Sequence, residues 1–143
     1  MSIGTVLTGE EFNKIYNGVE FYKFLNDDLI HYNFKYNIGL NVDTIPFNPR
    51  GKCSKGGLYF CKKSKCHLFV TEYGHKMALI EIPNNALIYI EEDKFKADKL
   101  IITKINDFED VLDDFWIELI SKNGRALEFV KDQTKEICKL AIL

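Results

Sequence analysis

The first regular pattern in the chain is that of a short amphipathic helix. Thr8 is a residue type that caps helices, and Glu11 follows it at the spacing of a capping box. Three apolar residues then fall on one helical face before the Asn-Gly pair at 17–18, and these are Phe12, Ile15 and Tyr16. The pattern therefore predicts one short helix near the beginning of the chain.

Apolar runs and alternating polar and apolar positions predict a series of β-strands up to residue 105. The clearest alternation sets Tyr32, Phe34 and Tyr36 against polar neighbours, which is the period of a half-buried strand. We expect two of the later strands to pair through the tight connection at 83–85. The predicted strands cover residues 21–24, 32–36, 57–61, 77–82, 86–90 and 100–105.

The connections between these strands have compositions of their own. Glycine and proline are frequent from 37 to 57, which predicts a long structured loop, and loops of this length are often functional. The stretch 64–73 has room for one or two helical turns, and the Lys-rich stretch 94–99 is expected to be a solvated connection. The pair Gly56-Gly57 favours a turn with positive φ over a phosphate-binding loop.

The period changes to that of helices after Asn106 and stays so to the end of the sequence. A shift of 21 residues places Trp116 on Ile137, with two further apolar matches, which suggests a short helical repeat. We therefore predict an α+β domain over 1–105, with a mixed, mainly antiparallel sheet and the short helix, followed by a helical-repeat tail over 106–143. An exposed apolar patch on this tail would mark a partner site, and its candidate binding residues are Phe115, Trp116 and Phe129.

Composition narrows the class of protein further. The chain has 143 residues, of which 46% are hydrophobic, so it is long enough for one compact domain and too apolar to be disordered. A net charge of -2 disfavours nucleic acid as a partner, and no apolar run approaches the roughly 20 residues of a membrane span. Because the first residues do not form a signal peptide, we expect a soluble, intracellular protein with reduced cysteines.

Several segments stand out as a set: HYNFKYNIGLN at 31–41, FNPRGKCSKGGLYF at 47–60, EYG at 72–74, ALIEIPNNALIYIEEDKFKADKLII at 78–102 and KNGRALEFVKDQTKEICKLAI at 122–142. The last has the form NG-x-AL-x-x-V-x-x-QT-x-E-I-C. Together they resemble the amino-terminal domain, and the helical repeat after it, of uncharacterised repeat proteins of mimivirus-type giant viruses. The resemblance implies a viral origin and an array cut off after its first repeat, but no reaction. An AT-rich viral genome fits the seventeen lysines against two arginines, Arg50 and Arg125.

A structural zinc ion is one alternative, with ligands Cys53, Cys61, Cys66 and His67. Zinc sites usually pair their ligands at short spacings such as C-x2-C. Here seven residues separate Cys53 from Cys61, and none separates Cys66 from His67. The spacing favours ordinary thiols over a zinc site, and nothing orients a base beside Cys66 for nucleophilic catalysis. No metal and no cofactor are predicted.

A second alternative is a nucleotide-using transferase. The layout of strands is loosely similar to ADP-ribosyltransferase-like folds, in which residues on separate strands hold a nicotinamide dinucleotide and a glutamate aids transfer. The alternative catalytic residues would be His31, Tyr59 and Glu81, with Arg50 of the long loop contacting a phosphate. The similarity is one of arrangement only, which is weak support for function. A cleft that joins these residues would favour the transferase, and their separation would argue against it.

The chain contains none of the common catalytic motifs, and this absence favours a binding role. We therefore predict a non-enzymatic protein–protein interaction module in the host cytoplasm or the virion. Its partner would be an unidentified viral or host protein, or a second copy in a homo-oligomer, and neither nucleic acid nor a membrane.

Overall fold

The computed structural model describes residues 3–31, 33–50, 55–68 and 76–107. Within these ranges the chain forms ten strands, one α-helix and one 3-10 helix. The helices are α1 (Gly9–Ile15) and the 3-10 helix (Lys63–Leu68). The strands are β1 (Val6–Thr8), β2 (Phe21–Leu25), β3 (Ile30–His31), β4 (Phe34–Lys35), β5 (Gly39–Val42), β6 (Leu58–Lys62), β7 (Lys76–Glu81), β8 (Leu87–Ile90), β9 (Phe95–Ala97) and β10 (Lys99–Asp107).

Eight of the strands form one sheet in the order β1-β8-β9-β6-β2-β7-β10-β5, and β3 and β4 form a separate pair. Every pairing of strands in the described residues is antiparallel. The prediction of an α+β fold with a helical-repeat tail is therefore wrong: the described residues form mostly antiparallel sheet with a single α-helix. The tail itself, with Phe115, Trp116 and Phe129, lies outside the described residues from residue 108 onward.

Two local errors explain part of this difference. The Lys-rich stretch 94–99 is not a solvated connection, because Phe95 and Ala97 pack inward on β9 and Lys96 is fully buried between them. The number of lysines in 94–99 predicts a solvated segment, but the apolar residues at alternate positions place β9 in the core. In addition, β10 continues through the predicted boundary at residue 105 and ends at Asp107.

The aromatic part of the core lies between α1 and the face of the sheet formed by β2, β6 and β9. Phe12 of α1 is fully buried and contacts four other rings, with centroid distances of 4.7 to 5.9 Å. Mixed tilted and edge-on contacts of this kind are favourable for aromatic rings. The four rings belong to Tyr16, Phe21, Phe60 and Phe95. In the part of the chain that the structure describes, no helix is long and apolar enough to cross a bilayer.

The predicted pairing of the strands at 77–82 and 86–90 is wrong. The first, β7, pairs with β2 and β10, whereas the second, β8, pairs with β1 and β9. The connection between them is bound to α1 instead of forming a hairpin. The N–H groups of Gly9 and Glu10 donate to the carbonyls of Ala86 and Asn84, and the Asn13 amide donates to the carbonyl of Ile82. These bonds redirect the chain from one half of the sheet to the other.

The capping box predicted for α1 is present. The Thr8 hydroxyl accepts from the Glu11 N–H at 3.2 Å, and the Glu11 carboxylate accepts from the Thr8 N–H at 3.1 Å. Both bonds satisfy N–H groups that a helix start would otherwise leave without a partner.

We expect Thr8→Ala to destabilise the protein by about 1 kcal/mol, the usual cost of losing such a cap. Urea unfolding followed by circular dichroism measures the change. Thr5→Ala, which removes a hydroxyl three residues earlier and outside the helix, is the control and should unfold at the wild-type midpoint. A loss of stability equal in both variants would contradict the role of the cap.

Candidate functional site

A buried lysine is the most unusual polar residue in the described part of the chain. All five residues of β2 are buried, including Lys23, whose exposed fraction is 5%. Its ammonium donates to the backbone carbonyl of Tyr59 at 2.7 Å and lies 3.0 Å from Nδ1 of His31. It also lies 5.0 Å from the centre of the Tyr36 ring. None of these neighbours is a carboxylate, so no negative partner in direct contact offsets the burial of the charge.

This environment changes the protonation of both basic groups. Burial lowers the pKa of Lys23 to about 7, with a further decrease from the charge of Lys94 and an opposing effect of Cys61. Burial also lowers the pKa of His31 to about 3, and the charges of Lys23 and Lys94 add to that effect. His31 is therefore neutral at pH 7, and Lys23 loses its proton much more readily than an exposed lysine does. Ionisable groups with pKa values shifted this far are enriched at functional sites.

Two more lysines surround Tyr59. Nζ of Lys94 lies 4.2 Å from the centre of the Tyr59 ring, and Nζ of Lys96 lies 5.6 Å from it. Lys96 has no exposed surface, and its ammonium donates to the carbonyls of Asn48 and Arg50 at 2.8 and 3.0 Å. These bonds hold the long loop against β9 and keep positive charge near the site.

The turn with positive φ that the sequence predicts at 56–57 is present. It brings the end of the long loop close to β9. The φ values of Gly56 and Gly57 are 90° and 140°. A side chain at Gly57 would collide with Lys96, and one at Gly56 would collide with the carbonyl of Pro46. Asp43 fixes the turn from the other side, because its carboxylate accepts from the N–H groups of Gly57 and Ile45 at 2.7 and 3.2 Å.

A cavity of about 390 Å³ opens between the β3–β4 pair, the segment after β5 and the start of β6. Its volume lies in the range of small-ligand sites. Its wall contains three of the residues described above: His31, Tyr36 and Tyr59. The full lining is His31, Asn33, Phe34, Tyr36, Asp43, Thr44, Ile45, Lys55, Gly56, Gly57, Leu58 and Tyr59.

The structure brings together only some of the residues proposed for a transferase. His31 and Tyr59 line the same cavity. Arg50 is tied to the neighbouring strand through its backbone carbonyl, which accepts from Lys96. Glu81 is exposed at the end of β7, opposite Ile101 of β10, and is not part of the cavity wall. Among the described residues of the cavity wall there is therefore no glutamate for such a reaction.

The alternative zinc ligands are only partly within the described residues. Cys61 is buried on β6, and its thiol donates to the carbonyl of Tyr22 at 3.4 Å. Cys53 lies outside the described residues, as do the side chains of Cys66 and His67. Among the residues that are described, no three histidine, cysteine, aspartate or glutamate side chains lie close enough to share a metal ion.

Lys23, Tyr36 and Lys96 are not among the site residues that the sequence predicts. A signal for Lys23 was present, because it is the one charged residue in the run FYKFL at 21–25. A single lysine inside an apolar strand indicates either a charge that reaches solvent or a buried charge with specific partners. The contacts of Lys23 show the second case.

A second feature is the apolar edge of the sheet. Strand β5 is the last of the eight, and no strand in the described ranges pairs with its outer edge. Around it, Ile38, Leu40 and Val42 are exposed by 61%, 61% and 50%. Leu40 and Val42, two residues apart in β5, lie on one face of the strand, and Ile38 lies in the bend just before it. We call these three residues the β5 stripe.

The sequence of this chain is similar to those of viral repeat proteins. No family model and no solved structure matches the chain. Over 84 residues, however, it is 29% identical to a protein named as an ankyrin repeat protein of Acanthamoeba polyphaga mimivirus. The chain thus resembles repeat proteins of this virus. A second mimivirus protein of the same description is 29% identical over 109 residues.

These alignments cover 57% and 71% of this chain but only 27% and 53% of the two relatives. The predicted similarity to mimivirus-type repeat proteins is therefore confirmed at the level of overall sequence. The individual motifs quoted for it stay a prediction.

Proposed function

We propose that this chain is a viral protein–protein interaction module without catalytic activity, which associates with a second copy of itself through the β5 stripe. The observation that carries the proposal is the exposed, uncharged edge strand of the main sheet. The similarity to proteins named for ankyrin repeats supports a binding role, because repeats of that kind stack into extended binding surfaces. The host cytoplasm or the virion is the proposed setting.

The composition of the edge supports a partner that adds a strand. Natural proteins usually protect an edge strand with lysine, proline or a bulge, because its outward backbone groups can pair with another chain. The segment 37–42 reads NIGLNV and contains none of these charges or prolines. An added strand would satisfy the outer edge with backbone hydrogen bonds and cover the β5 stripe with side chains.

The β5 stripe is also complementary to itself. In an antiparallel pair of two β5 strands centred on Leu40, each Leu40 would face its counterpart, and each Val42 would lie opposite the bend at Ile38 that precedes β5 of the other copy. Such an interface has two-fold symmetry, which closes after two copies. The uncharged segment places no like charges opposite one another in this register. For these reasons we favour a second copy over an unrelated partner.

Sedimentation equilibrium of the full chain tests this proposal. We expect the wild type to dimerise and Leu40→Lys to be monomeric at the same concentrations, because the substitution would bring two ammonium groups together. Val19→Lys is the matched control, since Val19 is 41% exposed and lies outside β5. It should dimerise like the wild type.

Two results would overturn the proposal. One is a wild-type protein that stays monomeric up to its solubility limit. The other is a dimer that Leu40→Lys leaves unchanged, because association would then use another surface. Hydrogen exchange adds an independent measurement: amides of 38–42 should become more protected as the concentration of the wild type rises, and should not do so in Leu40→Lys.

A further inference from the structure

The buried amine of Lys23 lies directly behind the wall of the 390 Å³ cavity. Its three close neighbours, the His31 imidazole, the Tyr59 carbonyl and the Tyr36 ring, belong to residues that line the cavity. Three residues thus contact both the amine and the cavity, and one of them is the half-buried His31.

We propose that Lys23 forms a reversible imine with a small carbonyl compound that carries a carboxylate and binds in this cavity. Lysines that react in this way need an uncharged amine near neutral pH, and burial beside other cationic groups provides one. Lys23 has both features, since burial and the charge of Lys94 lower its pKa. The cavity wall includes Asp43, the residue directly after β5, but the imine needs no second copy and does not depend on dimerisation.

The reaction balances without an oxidant or a second substrate. The lone pair of the Lys23 nitrogen attacks the carbonyl carbon, and a C–N bond forms as the C=O π bond opens. A proton passes from nitrogen to the former carbonyl oxygen to give a carbinolamine. Loss of that oxygen as water leaves the C=N bond of the imine. His31, neutral at pH 7 and 3.0 Å from the amine, is placed to carry the proton in both steps.

The charges around the site favour a carboxylate on the ligand. Lys94 and Lys96 both lie over the Tyr59 ring, and Lys94 is close enough to lower the pKa values of Lys23 and His31. Among the described residues of the wall, Asp43 is the one acidic residue, and its two oxygens already accept N–H groups of Ile45 and Gly57. The positive groups therefore dominate the field that a bound anion would meet.

The backbone around His31 is the part of the cavity wall that would have to move for the ligand to reach the amine. Leu29 and Asn33, two residues to either side of His31, have φ values of 59° and 66°. These are the only residues other than glycine with positive φ in the described ranges. The left-handed conformation costs roughly 1–2 kcal/mol for such residues, and strain of this kind is concentrated at ligand sites. Between them, β3 is only two residues long and, among the described strands, pairs with β4 alone, so a small shift of this pair would open a path to the amine without disturbing the main sheet.

Trapping of the imine with borohydride tests the proposal. The full chain is incubated at pH 7 with glyoxylate, or with neutral glycolaldehyde of similar size, then reduced and mapped by peptide mass spectrometry. With glyoxylate we expect Lys23 to be labelled at least about tenfold more than the average surface lysine, because ordinary lysines are almost fully protonated at this pH. Glycolaldehyde should label Lys23 more weakly than glyoxylate does.

Three variants sharpen the result. Lys23→Met should lose the selective label, and Lys104→Met, which removes an exposed lysine of β10, should keep it. His31→Ala should form the adduct about tenfold more slowly, and added imidazole should restore the rate, as expected for a missing proton carrier.

An even distribution of label over the lysines of the wild type would overturn the proposal that Lys23 reacts selectively. Preference for glycolaldehyde over glyoxylate would overturn the anionic class of ligand, and an undiminished rate in His31→Ala would overturn the role of His31. Loss of the label in Lys23→Met together with its retention in Lys104→Met would support the proposal.

Discussion

Replacement of Lys23 by methionine is expected to stabilise the protein, although it removes a residue with two hydrogen-bonding neighbours. A fall of the lysine pKa from 10.5 to about 7 corresponds to a penalty of about 5 kcal/mol for the charged form in the folded state. Methionine has a similar length and no charge to bury. Loss of the contacts to Tyr59 and His31 destabilises the variant by roughly 2 kcal/mol, which offsets part of this gain. We therefore expect Lys23→Met to be more stable than the wild type by about 3 kcal/mol at pH 6.

The pH dependence of stability gives the same prediction a second, sharper form. In the unfolded chain Lys23 keeps its proton up to its ordinary pKa of 10.5, whereas in the folded protein it loses the proton near pH 7. Between these values the unfolded state binds more protons, so the free energy of unfolding of the wild type rises with pH. Below pH 7 both states are protonated and the penalty is present in full. In Lys23→Met the rise between pH 7 and pH 10.5 should disappear.

Other titrating groups face Lys23 and must be separated from it. His31 on β3 has a folded pKa of about 3 against an ordinary 6.5, so it lowers stability as the pH falls from 6.5 towards 3, below the window of the lysine. Cys61 on β6 and Lys94 before β9 act on Lys23 by charge, and burial raises the pKa of Tyr36 above its usual range. The methionine substitution removes the titration of Lys23 and, because it also removes the charge of Lys23, lessens the decrease in the pKa of His31.

Urea unfolding at intervals from pH 5 to pH 10 measures the effect. Lys104→Met is the control, since it removes one positive charge from an exposed position and should follow the pH profile of the wild type. Parallel profiles for Lys23→Met and the wild type would show that Lys23 keeps an ordinary pKa in the folded protein. That result would also remove the chemical basis of the proposed imine.

The parts of the fold that depend on neighbours in sequence could be predicted from the sequence. The Thr8 cap needs only Glu11 three residues later, and the positive φ values at 56–57 need only glycine. The partners of a strand depend instead on distant residues. Nothing in the run 77–90 indicates that its two strands separate, because the cause is the set of hydrogen bonds from α1 to the connection between them.

Only part of the candidate site can be predicted from the sequence, because several of its contacts join residues that are distant in the chain. Alternation along 31–36 drew attention to His31, and the strand after the glycine pair drew attention to Tyr59. Lys23 was overlooked because periodicity separates a buried face from an exposed one, and β2 is buried on both faces. The Lys-rich stretch 94–99 predicts that Lys96 is one of a group of surface charges. Its burial depends on the carbonyls of Asn48 and Arg50, which are remote in sequence.

Substitution of Gly57 by alanine is expected to be among the most damaging single changes near the site. With φ at 140°, Gly57 has a conformation that costs a residue with a side chain roughly 1–2 kcal/mol. An added Cβ would also lie 2.4 Å from Cγ of Lys96 and 2.8 Å from its Cε. Lys96 cannot move aside easily, because its ammonium is bound to the carbonyls of Asn48 and Arg50. We expect a total loss of about 3–4 kcal/mol.

Gly18→Ala separates the steric part of this cost from the backbone part. Gly18 also has a positive φ, of 81°, but an added Cβ there would meet no atom within 4 Å. It should therefore lose only the roughly 1–2 kcal/mol of the conformation itself. The comparison requires only urea midpoints of the two variants and the wild type. Equal losses in the two variants would mean that the loop can withdraw from β9, and that Lys96 does not hold it there.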